Sequence, residues 1–330
     1  MSVPSSLPSV PTATAAPQEA RVVLSPALLL GYLRETLEAD PLAPLVLGLK
    51  RCIKVGVALH AGLEHVLAGR PRLLSGRYLL YACFQLDTLV DALPDFDRAR
   101  EVHRFVQECL EGSRPFRVLW REVLACRQLS LGERLKTVLL LRNLERLVHA
   151  TEAALASPDR VRFFRERLAS LVTAVVEDMN LEAREKDTLD KLAPDYPAMG
   201  LSSLEVLWLL QGRALEEIVS YRPLLGLAGQ LARLEDDLLE VRRALKDRVD
   251  EEDIEQQVDR RNLILRHARN RHWTMRDSFD EACRVAGLLE RRLEVALEQV
   301  SDHELAPVLR RVTTFFPSFA DVLMGPHRLP

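Results

Sequence analysis

Glycine, aromatic residues and β-branched runs are all scarce in this chain of 330 residues. It contains 14 glycines, and aromatic residues make up 5% of it. Leu, Ala, Arg and Glu are abundant instead, and this balance favours helices over sheets. The sequence also lacks the P-loop, GxGxxG, GxSxG and HExxH motifs. It therefore gives no sign of the nucleotide-binding folds, serine hydrolases or zinc proteases that use them.

Cysteines, long apolar runs and net charge are limited as well. The five cysteines are scattered and form no CxxC pair, which favours reduced thiols in a cytoplasmic protein over a disulfide framework or a zinc site. No run of about 18 apolar residues occurs, so we expect no integral membrane segment. The net charge of −3 gives no reason to expect nucleic acid as a partner. Residues 1–25 lack the parts of a signal peptide, and their Pro, Ser and Ala content predicts a disordered leader.

The chain does contain a helical period over most of its length. Hydrophobic residues make up 48% of it, and from about residue 26 they recur at spacings of three and four. The links are short and no fixed-length repeat is visible. This predicts one all-α domain over 26–330, a large bundle of about ten or more helices that enclose a central apolar cavity. Ser130 and Glu133 form a capping-box pattern. The predicted helices span 41–68, 76–93, 95–112, 114–128, 130–155, 159–180, 202–220, 224–248, 252–271, 276–300 and 302–313.

The first candidate site lies in YLLYACFQLDTLVDALPDF (78–96). Asp87 and Asp91 are one helical turn apart, so their carboxylates share a face. They end an otherwise apolar helix, where burial of a carboxylate is costly unless a cation or a metal pairs with it. Two carboxylates on one face suit Mg²⁺, which keeps several waters and shares phosphate ligands. The alternative is that both side chains face solvent near a helix end.

The second candidate site lies in LARLEDDLLEVRRALKDRV (231–249). Asp236 and Glu240 share one face, with Asp237 beside them and Arg243 one further turn along. Ordinary surface ion pairs along a helix would give the same pattern. The preceding stretch, YRPLLGLAGQLARL, is apolar and should be buried, which would place the acids at the mouth of a cavity.

Together the two clusters resemble the two metal motifs of class I terpenoid synthases. The first motif of that family is DDxxD, and Asp87-Thr88-Leu89-Val90-Asp91 matches it with Thr in the second position. The other is (N/D)DxxSxxxE, and 236–244 matches its two leading acids. Glu240 stands where Ser or Thr is usual, and Ala244 replaces the final Glu. Asn262, the stretch SFDEA and the terminal PHRL are similar to later parts of the family's sequences.

The resemblance implies an enzyme of that family, a lyase that uses Mg²⁺ to ionise and cyclise a prenyl diphosphate. In the family, the acids hold Mg²⁺ at the mouth of an apolar pocket, and cationic side chains grip the diphosphate. By this likeness Asp87 and Asp91 are catalytic. The implied metal ligands are Asp87, Asp91, Asp236, Asp237 and Glu240; the implied substrate contacts are Arg243, Lys246 and Arg328 for the diphosphate and Phe84, Cys83 and Leu80 for the prenyl chain.

Two other functions stay open from the sequence. QLARLEDDLLE (230–240) is similar to the second motif of squalene and phytoene synthases, a sister family of prenyl transferases with the same helical fold. The missing carboxylate at Ala244 is compatible with a third class, a non-catalytic helical bundle that binds a lipid or a protein. A homodimer is left open.

Overall fold

The expectation of an all-α fold is confirmed. The computed structural model describes residues 26–45, 47–49, 52–53, 55–56, 74–155, 157–180, 189, 196–210, 212–247, 250–300 and 309, and no strand occurs among them. The helices with defined bounds are α1 (Pro26–Ala39), α2 (Leu74–Asp91), α3 (Phe96–Glu111), α4 (Phe116–Ala125), α5 (Leu131–Leu155), α6 (Pro158–Glu177), α7 (Tyr196–Leu210), α8 (Leu215–Ser220), α9 (Arg222–Asp247), α10 (Glu251–Gln257), α11 (Leu263–Arg271) and α12 (Met275–Glu298).

Helices α7 and α9 lie at the centre of the packing. Helix α9 packs along α7 and α12, α7 packs along α6, and α2 packs along α5. A helix that is apolar on more than one face belongs inside a bundle, and every residue from Leu204 to Leu210 is buried. The apolar stretch before the second acidic cluster is buried as predicted, through Leu225, Ala228 and Leu234 among others. These helices share one continuous hydrophobic core.

The predicted helix boundaries are correct where capping residues or prolines define them. The Ser130 backbone N–H donates to Glu133 Oε2 at 2.6 Å, and the Glu133 N–H donates to Ser130 Oγ at 3.4 Å. This reciprocal pair is the predicted capping box, and it begins α5. Helix α2 ends at Asp91, three residues ahead of Pro94, because proline cannot continue the helical hydrogen bonds.

Two predicted helices are wrong because each is broken in the middle. The helix predicted over 202–220 is interrupted at Gly212, whose φ of 86° lies in the left-handed region. The helix predicted over 252–271 divides into α10 and α11. The side chain of Asn262 accepts hydrogen bonds from the backbone N–H groups of Ile264 and Leu265, and so caps a new helix. The chain between these helices, 258–262, is a loop that approaches the acidic clusters.

A buried polar cluster fixes α2 against its neighbours. Its four side chains, Asp40, Tyr81, Gln85 and Asn143, are all almost fully buried. The Tyr81 hydroxyl donates to Asp40 Oδ2 at 3.1 Å, and Asn143 Nδ2 donates to the same oxygen and to Gln85 Oε1, both at 2.9 Å. The Leu42 N–H donates to the other Asp40 oxygen. The cluster therefore joins the end of α1 to α2 and α5.

Some of the segments for which the sequence makes a prediction lie partly or wholly outside the described residues. The leader at 1–25, most of the helix predicted over 302–313 and much of the helix predicted over 41–68 lie outside the described residues. In the part of the chain that the structure describes, none of the helices combines the length and the apolar character that a bilayer span requires. All five cysteines are described, and each is a free thiol.

Replacing Tyr81 with Phe should destabilise the fold. The change removes a hydrogen bond to a buried carboxyl group and leaves its oxygen with one donor fewer, a loss of about 1–3 kcal/mol. Tyr221→Phe is the matched control, since the described residues offer its hydroxyl no hydrogen-bond partner and its ring packs edge-on against Trp208. Denaturant unfolding measures both variants. An equal loss of unfolding free energy in the two would contradict a special role for the buried cluster.

Candidate active site

The two acidic clusters meet in one cleft, although about 150 residues separate them in the sequence. The cleft has a volume of about 230 Å³ and lies between the end of α2, the middle of α9 and the loop between α10 and α11. Pockets for drug-sized ligands usually measure about 300–1,000 Å³. This cleft is smaller and mostly polar, which suits the charged head of a ligand. Its described lining consists of Asp87, Asp91, Arg233, Asp236, Asp237, Leu239, Glu240, Arg243, Asp259, Arg261 and Asn262.

The helical period of α9 places its polar residues on the cleft. Residues three and four apart share a helix face, and Arg233, Asp236, Glu240 and Arg243 follow that spacing. The opposite face carries Leu234, Leu238 and Val241, which are buried in the core. Amphipathic packing thus fixes the rotation of α9, so that its acids turn toward the last turn of α2, where Asp87 and Asp91 lie.

Arg233 forms ion pairs with two acids of α9. Its guanidinium donates to Asp236 Oδ2 at 3.2 Å and lies 3.7 Å from Asp237 Oδ1. It also donates to Asp178 at the end of α6, at 3.5 Å. Arg233 was not among the predicted site residues. The signal for it was present in the sequence, because it precedes Asp236 by three residues and therefore shares its face.

Asp237 and Glu240 anchor the loop between α10 and α11. Asp237 is buried, and its Oδ2 accepts the backbone N–H of Leu263 at 3.0 Å. The two carboxylate oxygens of Glu240 accept the Asp259 backbone N–H and Asn262 Nδ2, both at 2.9 Å. A carboxylate offers about four acceptor positions, so these bonds do not exhaust either group. Their role as metal ligands stays a prediction, beside the structural role that the geometry gives them.

The anchored loop brings Arg261 and Asp259 into the cleft. Arg261 Nη2 donates to Asp91 Oδ1 and, at 3.0 Å, to Asp259 Oδ2. Sequence reasoning found Asn262 but missed these two neighbours. Arg261 reaches Asp91 across 170 residues of sequence, and no local spacing indicates such a contact.

Burial and neighbouring charge make Asp236 hard to ionise. Its surroundings raise its pKa from 3.8 to about 6, first through burial and then through the charges of Asp237 and Asp87, while Arg233 and Arg243 oppose the shift. The side chain still exposes 43% of its surface to the cleft, so water in the cleft moderates this effect. Asp87 on α2 is thus one of the charges that raise the pKa of Asp236 on α9.

The other charged groups of the cleft are perturbed in the same way. Burial raises the pKa of Glu240, although the hydrogen bonds from Asn262 and Asp259 lower it again in part. Burial lowers the pKa of the Arg243 guanidinium, and the nearby acids Asp236 and Glu240 oppose that change. Such perturbations concentrate at functional sites.

The donor set fits a hard divalent cation. The lining contains six carboxylic acids and three arginines, so it carries an excess of negative charge. Its donors are oxygen atoms, which Mg²⁺ prefers. Within the described residues, no three acid, thiol or imidazole groups already converge as a metal cage. Mg²⁺ does not require one, because it is usually bound by one or two carboxylates together with water and phosphate oxygens.

The remaining predicted site residues lie around the cleft or outside the description. Cys83 and Phe84 are partly buried and do not belong to the described lining. Burial, followed by the charge of Asp87, raises the pKa of the Cys83 thiol to about 12. Leu80 lies in α2 and Lys246 in α9, but their side chains are outside the described residues, as is Arg328. Contacts of these five with a substrate stay predictions.

The fold of the chain is that of the terpene synthases. The chain is similar to isoprene synthase from grey poplar leaves (Populus x canescens), with a TM-score of 0.58 and 13% identity over 89% of this chain and 54% of that one. It therefore spans about half the length of the plant enzyme. It is also similar to 2-methylisoborneol synthase from Streptomyces coelicolor A3(2), with a TM-score of 0.55, 15% identity and 88% coverage of each chain.

Both of these proteins have been solved as complexes with ligands. The poplar enzyme was solved with three Mg²⁺ ions and dimethylallyl-S-thiolodiphosphate. The Streptomyces enzyme was solved with Mg²⁺ and 2-fluorogeranyl diphosphate, and this complex matches 91% of the chain with a TM-score of 0.56. No protein-family profile and no curated protein sequence matches the chain. At such low identity the likeness shows the fold alone.

Asp236→Asn should stabilise the metal-free protein at pH 7. With a pKa near 6 in the fold and 3.8 as its ordinary value, folded Asp236 keeps its proton between these two pH values, where the unfolded chain has already released it, and at pH 7 its ionised form costs stability in the fold. Its contribution to stability is therefore full below pH 3.8 and is lost as the pH rises through 6. After allowance for the 43% exposure of the side chain, the cost at pH 7 is on the order of 1 kcal/mol.

Unfolding by denaturant in the presence of EDTA, at pH 7 and at pH 4.5, measures this difference. The advantage of the Asn variant should shrink at the lower pH, where Asp236 of the wild type is protonated. Glu166→Gln on α6 is the control, because Glu166 is exposed and far from the cleft lining. An advantage that is absent at pH 7, or that grows at pH 4.5, would contradict the electrostatic account.

Proposed function

We propose that the chain is a Mg²⁺-dependent terpene synthase-like enzyme that ionises and cyclises a prenyl diphosphate. The single observation that carries the proposal is the meeting of Asp87 and Asp236 in one acidic cleft, on a fold of this type. Neither cluster is specific by itself. A cleft that joins carboxylates from two helices with arginines suits a metal–diphosphate group, because both signs of charge are needed there.

The structural neighbours support the substrate class. Isoprene synthase and 2-methylisoborneol synthase have been solved with Mg²⁺ and analogues of prenyl diphosphates. We transfer the class of ligand as part of the proposal, and not the particular substrate or product. The chain length of the substrate depends on the pocket beyond the cleft, and the described lining of the cleft has only Leu239 as an apolar member.

The residues of the cleft divide into two roles. Asp87, on the exposed side of α2, and Asp236, on α9, would hold Mg²⁺, with Glu240 as a further oxygen donor. When bound, Mg²⁺ supplies neutralisation of the charge that develops on the leaving diphosphate. Arg243 would donate to diphosphate oxygens, a task for which its always-charged guanidinium is suited. Lys246 and Arg328 would assist it, as the family resemblance implies.

The reaction has a second requirement, which is the exclusion of water, and we propose that the apolar core of the bundle meets it. A carbocation is consumed by any water that reaches it, so the prenyl chain has to lie among apolar groups. Cys83 and Phe84 precede Asp87 by four and three residues, and we propose that they and Leu80 contact the chain. Aromatic faces can also stabilise a moving positive charge.

Activity with prenyl diphosphates tests the proposal. The purified protein is incubated with Mg²⁺ and geranyl, farnesyl or geranylgeranyl diphosphate, and the hydrocarbons are identified by gas chromatography and mass spectrometry. Cyclised products support the proposal, and a longer condensed chain would indicate a prenyl transferase of the squalene synthase type. The absence of turnover with all three substrates would overturn the proposed activity.

Asp87→Asn should abolish most of that activity. Removal of a charged metal ligand should lower kcat roughly 100-fold or more, since a metal's stabilisation of a leaving group is worth several kcal/mol. Asp97→Asn is the control, because Asp97 on α3 is an aspartate with a 93% exposed side chain. An unchanged rate in the Asp87 variant would remove that residue from the mechanism.

Arg243→Ala should weaken the binding of inorganic diphosphate in the presence of Mg²⁺. The loss of a charge-assisted hydrogen bond of about 1.5–3 kcal/mol corresponds to roughly 10- to 150-fold in the dissociation constant. The neighbouring Arg242 is exposed and points toward Phe279, so Arg242→Ala is a control with the same change of net charge. Calorimetry measures both, and an equal effect of the two would show that only the overall charge matters.

The calorimetric experiment also distinguishes a non-catalytic relative. Ala244 is buried and brings no oxygen to the cleft, an observation that favours a site with reduced metal binding. A bundle that only binds a lipid or a protein would show no Mg²⁺-dependent diphosphate binding. A protein that binds Mg²⁺ and diphosphate but turns over no prenyl substrate would be a relative that has kept the site and lost the reaction.

A further inference from the structure

We infer that Arg261 is a cation that the protein itself supplies to this site: it neutralises Asp91 and takes the place of one divalent ion. Asp91 then stays paired with Arg261, and the cleft holds metal through Asp87 and Asp236. The inference rests on the proposed function, because it specifies how many metal ions the same cleft takes. It also departs from the sequence-based expectation that Asp91 is itself a metal ligand.

Arg261 joins Asp91 and Asp259 through hydrogen bonds to both carboxylates. Its side chain is only 10% exposed. Nη2 donates to Asp91 and, at 3.0 Å, to Asp259 Oδ2, while Nε donates to Asp259 Oδ1 at 3.2 Å. The backbone N–H of Arg261 donates to the same Asp259 oxygen at 2.8 Å. A guanidinium that is hydrogen-bonded to two carboxylates and shielded from water has a fixed position. It also keeps its positive charge, because arginine does not lose its proton in proteins.

The loop that carries Arg261 is itself held in place. The Asp259 backbone N–H donates to Glu240 Oε1, and Asn262 Nδ2 donates to Glu240 Oε2. Asn262 Nδ2 also donates to the backbone carbonyl of Asp237, at 3.0 Å. Helix α9 therefore supports the residues on both sides of Arg261. A side chain held in this way is positioned before any ligand arrives.

Occupation of Asp91 by Arg261 competes directly with a metal. Mg²⁺ requires oxygen ligands at about 2.0–2.1 Å in near-octahedral geometry. The guanidinium that donates to Asp91 Oδ1 takes an acceptor position of that oxygen, and its positive charge repels an ion that approaches the carboxylate. The guanidinium also removes the local negative charge that would attract a second cation. Asp87 lies one turn away and belongs to the same lining, and we propose that it shares an ion with Asp236.

A second, independent feature points in the same direction. Along α9, Asp236, Glu240 and Ala244 are four residues apart and share one face. The first two carry carboxylates, whereas the third carries a buried methyl group. The row of acids along α9 therefore ends at Glu240. In the same cleft, an arginine lies beside Asp91. Both features reduce the negative charge that metal ions have to balance, which fits a site for fewer ions.

The number of bound ions tests the inference without any turnover. Mn²⁺ is used in place of Mg²⁺, with saturating inorganic diphosphate, and the signal of free Mn²⁺ in electron paramagnetic resonance gives the number of ions bound per chain. Arg261→Gln should bind one ion more than the wild type. Arg261→Lys keeps the charge and should bind the wild-type number. The control is Arg260→Gln, since Arg260 is the exposed neighbour in the same loop and should also bind the wild-type number.

Asp91→Asn gives a second test that leaves Arg261 intact, in case the Gln variant fails to fold by circular dichroism. If Asp91 stays with Arg261, the Asn variant should bind as many ions as the wild type. Loss of an ion in the Asn variant, or an unchanged number in a folded Arg261→Gln variant, would overturn the inference and leave the proposed function standing.

The proposed function and the inference can also fail separately in the other direction. A wild type that binds no Mn²⁺ with diphosphate would overturn the proposed function. If Arg261→Gln then gained an ion, Arg261 would still occupy a cation position and the inference would stand. If neither protein bound an ion, both would fall.

Discussion

The contacts between Glu240 and the loop over 258–262 determine the arrangement of the whole cleft. Both oxygens of one carboxylate accept hydrogen bonds, from the Asp259 backbone and from the Asn262 amide. These bonds set the start of α11 against the middle of α9, and they carry Arg261 to the end of α2. Three elements from distant parts of the sequence are therefore held together by one side chain, which also lies on the lining that we propose for metal.

The cleft brings many charged side chains together, with an excess of acids. Six acids and three arginines share a small volume, and burial, followed by the charges of Asp237 and Asp87, raises the pKa of Asp236. A cation such as the proposed Mg²⁺ would reduce the repulsion among these acids and so would lower the pKa of Asp236. This is the usual conflict between stability and function at a charged site.

Sequence patterns identified the acids but not the arrangement around them. Asp87 and Asp236 were predictable because each lies in a long helix with a regular apolar period. The break at 258–262 was missed because apolar residues continue through it, with Ile254 and Val258 before the loop and Leu263 after it. The contact of Arg261 with Asp91 and that of Asn143 with Asp40 depend on tertiary packing, and no local spacing encodes either.

The buried cluster around Asp40 helps to determine the direction in which Asp87 lies on α2. Gln85 and Tyr81 lie on the side of α2 that faces α1 and α5, and Asp87 lies on the side that faces the cleft. Each residue of a helix advances its direction by about 100°, so a shift of α2 by a single position would swing Asp87 away from α9. The hydrogen bonds of Gln85 and Tyr81 therefore fix both the rotation of α2 about its axis and its position along that axis.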